Sequence, residues 1–214
     1  MNNNGVTFGN KNSFTDWDLL MTSKTIGEAV PKTKYLEIPG RDGTLDFTES
    51  TGEVKYSDRI LTFRFELLNP PSFWETQREI VNHLNGKKLK IILDQDPNYY
   101  FYGRCKVVSD NLIKNLGDFN IECTCDPYKY KKEETVITQN VSVGNSYNYI
   151  NDRKSVIPIL TLSSEMIIEF EGNSYSLGAG SQKVLDIQFK EGTNTIKIIS
   201  GSGTLTVAYQ EASL

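Results

Sequence analysis

Alternation with a period of two constrains this chain more than any other feature. Leu61, Phe63, Phe65 and Leu67 are separated by Thr62, Arg64 and Glu66. Phe119, Ile121, Cys123 and Cys125 are separated by Asn120, Glu122 and Thr124. Cys105 and Val107 follow Arg104 and Lys106, and Leu89, Ile91 and Leu93 alternate with Lys88, Lys90 and Ile92. Successive side chains of a strand point to opposite faces, so these segments predict strands with one dry and one wet face. Strands buried on both faces lose that alternation, so the pattern predicts antiparallel sheets and a mainly β fold.

One segment breaks the rhythm. Pro70-Pro71 stops the preceding strand, and Ser72 followed by Glu75 has the spacing of a capping box. Phe73, Ile80 and Leu84 then share a helical face that Trp74 and Val81 widen. Asn85-Gly86 supplies a left-handed stop. A single helix over a sheet makes the first domain α+β. The apolar pattern ends at Asp126-Pro127-Tyr128 and a charged patch follows at Lys131, Lys132, Glu133 and Glu134, which places a boundary near 128–135 and predicts domains 1–130 and 131–214. The second domain reads as all β. Ile167–Phe170 and Tyr175–Leu177 flank a Gly172-Asn173 turn, Leu185, Ile187 and Phe189 alternate with Asp186 and Gln188, and Gly192-Thr193-Asn194 and Gly201-Ser202-Gly203 turn the chain into two further strands. Short strands separated by glycine turns predict a β-sandwich.

Charge excludes a class of function. Residues 1–130 hold 16 Lys+Arg and 18 Asp+Glu, and residues 131–214 hold 7 and 9, so each part carries −2 of the net −4. Neither is a basic module of the kind that grips nucleic-acid phosphates. Met1-Asn2-Asn3-Asn4-Gly5 lacks the cationic and apolar regions of a secretion signal, and no apolar run approaches the ~20 residues that span a bilayer, so the expected site of synthesis is a cytoplasm. The three cysteines include Cys123 and Cys125 on one strand face, a spacing outside the usual zinc and redox motifs, and read as small reduced core residues.

Candidate chemistry is sparse. The single histidine, His83, lies between the apolar and polar faces of the helix, with no nucleophile motif elsewhere. Asp94 and Asp96 form a pair of carboxylates that, with Glu49, could serve glycoside or peptide hydrolysis; Asp94 and Asp96 could also serve cation binding, but no calcium-loop pattern follows and Pro97-Asn98 makes a turn where Asp is common. Tyr99, Tyr100, Phe101 and Tyr102 could stack sugars or bases, or fill a strand buried on both sides at a subunit interface. Gly178-Ala179-Gly180-Ser181 lacks the Lys that completes a phosphate loop. No catalytic, cofactor or metal residue is assigned, and the chain is expected not to be an enzyme.

The stretch Ile38–Asp58 is polar, turn-rich and has little to bury. A long irregular segment in a compact domain is uncommon and often functional, and a hairpin arm reaching a neighbouring subunit would use one. Within and after it, Pro39-Gly40-Arg41-Asp42-Gly43, Leu45-Asp46-Phe47-Thr48-Glu49, Tyr56-Ser57-Asp58-Arg59, the helix ending Leu84-Asn85-Gly86-Lys87, Asp94-Gln95-Asp96-Pro97 and Tyr102-Gly103-Arg104 follow in order. This order resembles the distal tail protein family of long-tailed phages and prophages, mostly of Gram-positive hosts. Phe8-Gly9 and Asn12-Ser13 fit the family's first strand, and Pro158–Thr161, Glu191–Ile196 and Ser213-Leu214 fit its C-terminal half.

The resemblance implies a tail-tube-like β-sandwich with one helix, followed by a galectin-like β-sandwich. It implies a structural subunit of a virion tail tip, made in the host cytoplasm. Its copies would form a hexameric ring that joins the tail tube to the baseplate and tail-associated lysin, around a channel through which DNA passes without specific binding. No catalytic residue or cofactor comes with the family. Gly40, Arg41, Asp42, Gly43, Tyr56 and Arg59 are the candidate inter-subunit arm residues; equally, Gly40–Gly43 can be a tight turn with solvated charges. The alternative reading is a carbohydrate-binding adhesion protein using the C-terminal sandwich, whose tyrosines are Tyr147, Tyr149, Tyr175 and Tyr209.

Overall fold

The alternating segments pair as antiparallel strands, and their apolar sides turn inward. The computed structural model describes residues 4–50, 52–68, 72–113 and 116–214. The proposed strand stop at Pro70-Pro71 and the start at Met1-Asn2-Asn3 lie outside the described residues. The chain divides into two units, Met1–Lys129 with Leu214, and Tyr130–Ser213.

The first unit contains β1 (Val6–Phe8), β2 (Lys11–Asn12), β3 (Leu19–Ile26), β4 (Tyr35–Glu37), β5 (Thr44–Asp46), β6 (Arg59–Leu67), α1 (Phe73–Leu84), β7 (Lys88–Leu93), β8 (Asp96–Ile113) and β9 (Leu116–Lys131). One sheet runs in the order β2-β1-β7-β8-β9-β6-β3, and β4 and β5 form a separate pair. β6 shows why the sequence folds this way. Its odd-numbered residues from 59 to 67 are buried, while Ile60, Arg64 and Glu66 are exposed. Opposite it on β9, Phe65 faces Phe119, Phe63 faces Ile121 and Leu61 faces Cys123. Phe8, Phe63, Phe65, Phe73, Ile80, Leu84, Ile91 and Phe119 meet in one core. Phe73 stacks on Phe119 with ring centroids 5.3 Å apart, and Phe8 meets Phe63 edge-on at 5.7 Å. Such pairs add to the burial that holds the layers together.

The helix differs from its sequence reading at its start. Ser72 precedes Phe73, but its side chain makes no capping bond; its hydroxyl lies 3.4 Å from that of Thr76. The capping box is therefore absent. Trp74 does not widen the buried face: it is 64% exposed and meets Phe73 edge-on. The stop is as expected in kind, since Gly86 takes a φ of 75°, a conformation that favours glycine.

The second unit holds β10 (Thr135–Val141), β11 (Ser146–Asn151), β12 (Ile159–Leu162), β13 (Met166–Phe170), β14 (Asn173–Leu177), β15 (Gly180–Gln182), β16 (Gly192–Ser200), β17 (Gly203–Tyr209) and β18 (Ala212–Ser213). Two four-stranded antiparallel sheets, β10-β17-β12-β15 and β11-β16-β13-β14, bury a shared core that includes Leu160, Ile168, Phe189, Ile198 and Val207. Phe189 sits among Tyr149, Phe170 and Tyr209 at ring distances of 5.6, 5.9 and 5.3 Å. Two expectations need correction. The β13–β14 turn is Glu171-Gly172, both with positive φ, and Asn173 already pairs with Phe170. The segment 185–189 is not a strand. Leu185 is 74% exposed in a turn, and only Phe189 pairs, through reciprocal backbone bonds with Val156 at 2.9 and 2.8 Å.

The central aromatic pair of the first unit gives a direct check. Phe119→Ala removes a buried ring stacked on Phe73 and is expected to cost about 3–5 kcal/mol. Urea unfolding should show a lower midpoint with little change of slope.

Candidate functional site

β3 and β6 are antiparallel neighbours, with Ile26 opposite Leu61, so everything between them is the connection of one hairpin. At its root the Gly27 N–H donates to the Ile60 carbonyl at 2.9 Å, and a β-carbon on Gly27 would lie 2.6 Å from that oxygen. Further out, Ser57 N–H donates to Val30 O at 2.9 Å and Lys32 N–H to Lys55 O at 2.7 Å, and Pro31 bridges to Tyr56. Beyond these, β4 pairs with β5, Tyr35 opposite Asp46 and Glu37 opposite Thr44. The segment expected to be irregular is thus, at its outer end, a ladder. Gly40 and Gly43 close its tip with φ of 84° and 71°, which glycine adopts at no steric cost. Arg41 and Asp42 are exposed between them.

Among the described residues nothing of its own chain covers the outer arm. Residues 31–44 are all exposed, and its apolar side chains stand in solvent: Tyr35 at 58%, Leu36 at 50% and Phe47 at 39%. An isolated two-stranded hairpin of this size is marginal in water. Tyr56 lies half-buried nearer the root, its ring edge-on to Tyr128 at 5.9 Å. Arg59 corrects the sequence reading. It is the first inward residue of β6, only 4% exposed, opposite Cys125, with its guanidinium 5.5 Å from the centre of the Phe101 ring. It anchors the root of the arm and does not present a group to a neighbour.

The outward side of β7 and β8 carries a second concentration of charge. Lys88 stands opposite Arg104, and Lys90 opposite Tyr102. Lys88 and Lys90 hold their ammonium groups 4.6 and 4.5 Å from the ring centres of Tyr102 and Tyr100. On β9, Asp126 pairs with Lys88 at 2.9 Å and Glu122 with Lys106 at 2.8 Å. Among the described residues Lys90 and Arg104 have no carboxylate partner; Arg104 donates to the Gly86 carbonyl. A cleft of about 450 Å³ opens here, lined by Asp58, Lys88, Arg104, Lys106, Thr124 and Asp126. Alternation alone had marked these lysines only as the wet side of two strands.

The candidate reactive groups hold the fold. Asp94 accepts hydrogen bonds from Gly5 N–H at 3.1 Å and from the Asn12 side-chain amide at 3.0 Å, pinning the first strand to the β7–β8 turn. Asp96 instead pairs with Lys129 at 3.3 Å. Glu49 is exposed on the arm. His83 Nε2 donates to the Phe8 carbonyl at 2.7 Å, and its ring meets Trp17 edge-on at 5.4 Å. The three thiols are buried, and Cys105 and Cys123 lie 2.6 Å apart. The hydrogen bond to Cys105, then burial, pushes the Cys123 thiol far above its ordinary range, and burial pushes Cys125 up to about 12. Among the described residues no cluster of His, Cys, Asp or Glu suits a metal ion.

In the second unit the tyrosines serve packing. Tyr149 is buried and accepts from the Gln139 amide at 2.6 Å, Tyr209 donates to Ile150 O at 2.6 Å, and the Tyr147 hydroxyl accepts from Ser142 N–H at 3.1 Å. Tyr175 packs against the core, although it also lines a shallow polar groove with Asn173, Ser174, Asp186 and Gln188.

No family model matches this chain. No curated protein matches it either. Among solved structures it is similar to the crystal structure of the Dit protein of phage SPP1, described there as a paradigm of the hub adsorption apparatus in phages infecting Gram-positive bacteria. The two share 15% sequence identity, with a TM-score of 0.72 over 98% of this chain and 99% of that one. The fold is therefore shared from end to end.

Two measurements follow from the buried groups. Asp94→Ala leaves the Gly5 N–H and the Asn12 amide without their acceptor and is expected to cost about 1–3 kcal/mol. Iodoacetamide at pH 8 should leave all three thiols unmodified in the folded protein and alkylate them in denaturant, because thiols that are buried and hard to ionise are inert.

Proposed function

We propose that this chain is a structural subunit of a phage or prophage tail tip. Its copies assemble as a ring, hexameric by the family resemblance, that joins the tail tube to the baseplate and tail-associated lysin around the DNA channel. The observation that carries this reading is an arm rooted in the β3–β6 pair and bare of cover, in a chain that shares its fold end to end with a hub adsorption protein. Apolar side chains on a three-residue strand pair lose about 25 cal/mol per Å² of burial while they face water, which a neighbouring copy would restore. The arm and the surface that receives it are different patches, so the contact is head-to-tail and closes into a ring when the rotation allows.

In this reading Gly40 and Gly43 shape the tip, Arg41 and Asp42 offer polar contacts to the next copy, and Tyr56 supports the root. The second unit is a sandwich carried on the ring. DNA passes through without specific binding, and the subunit turns over no substrate. The adhesion alternative draws on the polar groove beside Tyr175, but the engagement of Tyr147, Tyr149 and Tyr209 in packing favours the structural reading.

Light scattering coupled to size exclusion tests it. The full chain is expected to run as a closed oligomer, and replacing residues 35–46 by a short Gly-Ser linker is expected to give a monomer that unfolds at nearly the same urea concentration. A full chain that stays monomeric at high concentration, alone and with tail-tube protein, or that hydrolyses host cell wall, overturns the reading.

A further inference from the structure

The two charge concentrations match each other. Lys32 and Lys34 stand at the base of the arm, and its outer part, from Leu36 to Ser50, carries Glu37, Asp42, Asp46 and Glu49 against Arg41. All seven are exposed. Asp46 also accepts the Thr48 N–H at 2.9 Å, a bond that favours its ionised form. The β7–β8 face carries Lys88, Lys90, Arg104 and Lys106, and the groups facing them are Asp58, Glu122, Asp126 and the rings of Tyr100 and Tyr102.

Within one chain this face is poorly resolved electrostatically. Lys88 and Arg104 stand directly opposite each other on paired strands, an arrangement of like charges that destabilises a sheet. Asp126 and Glu122 pair with Lys88 and Lys106, which leaves Lys90 and Arg104 without an ion pair among the described residues, with Asp58 the one further carboxylate lining the cleft. The open cleft lies at Arg104, between Lys88 and Lys106, and the same side of β8 exposes Tyr102 at 36% and Val108 at 51%. A partner with carboxylates and apolar side chains on one extended segment fits such a surface. The arm is that kind of segment, with Leu36, Ile38 and Phe47 among its carboxylates. It does not lie on the face of its own chain, since residues 31–44 are all exposed.

We infer that the outward face of β7 and β8, with Lys90, Arg104 and the cleft beside Arg104, is the seat for the acidic outer arm of a second copy of this chain. The inference rests on the ring reading above and adds the receiving surface. Arm and seat are separate patches of opposite charge, so each copy gives one and receives one.

A charge-exchange experiment tests it on the full chain. One variant reverses the seat, Lys90→Glu with Arg104→Glu, at the two of its cations without a carboxylate partner among the described residues. The other reverses the arm, Glu37→Lys, Asp42→Lys and Glu49→Lys. A neutral control, Lys90→Gln with Arg104→Gln, and urea midpoints for every variant separate misfolding from lost assembly. Each reversed variant alone is expected to need at least about tenfold more protein to assemble, the neutral control less, and 0.5 M NaCl is expected to weaken the unmodified chain because it screens exposed charges. Mixed in equal amounts, the two reversed variants should assemble as the unmodified chain does, in alternation. If the unmodified chain assembles and the seat-reversed variant assembles equally well, the seat is wrong and the ring reading stands. The seat is equally wrong if the mixture fails to recover, or if seat reversal abolishes only retention of DNA. An unmodified chain that never assembles removes the ring reading and the seat together.

Discussion

The pairing of β6 between β3 and β9 is the constraint on which the rest depends. Its inward residues face Phe119, Ile121 and Cys123 across one ladder, and across the other the strand meets β3 with a single irregularity near Met21 and Ser23. A slip of one residue would turn Leu61, Phe63 and Phe65 out to solvent and Arg64 and Glu66 into the core. That register also sets where the arm begins. Because β3 ends and β6 starts as paired neighbours, the thirty-odd residues between them are obliged to leave and return at one place. Arg59 secures that place from the inside, its side chain buried and its charge set over the Phe101 ring.

A chain of modest net charge can still be strongly patterned. The totals, −2 in each part, conceal an acidic outer arm and a basic strand face in the same unit. The sheet tolerates the crowding of Lys88, Lys90, Arg104 and Lys106 because two of the four have carboxylates from β9 and two ammonium groups lie over tyrosine rings. Cation–π contacts of this kind moderate a charge without neutralising it, so the face remains attractive to anions.

The sequence made the strand pairs and the single helix legible because burial on one side leaves a record at every second residue, as in Leu61–Leu67 and Phe119–Cys125. The same record misled at Leu185, Ile187 and Phe189. There the alternation comes from a loop that buries two side chains and pairs at one point only. Trp74 failed for a related reason. Phe73, Ile80 and Leu84 take the covered side of the helix, and Trp74, one residue and about 100° further round, falls outside it. The arm was visible as a stretch with nothing to bury, but its ladder was not, since β4 and β5 are too short and polar to show a period. Arg59 was read by its charge, whereas its parity in β6 decided its position. The basic face was least legible. Which lysine faces which arginine is set by register between β7 and β8, and register is not written in either strand alone.

Gly27 makes the arm a lever. With a methyl group excluded there by the Ile60 carbonyl, the chain crosses the edge of β6 at close range and its direction is fixed by backbone against backbone. Gly40 at the tip lies thirteen positions beyond this pivot, a span of up to about 40 Å if extended. A tilt of about 5° at the pivot would therefore sweep the tip by about 4 Å, more than the length of a hydrogen bond. The angular precision of any structure built by these arms is then set by a single missing side chain far from the point of contact.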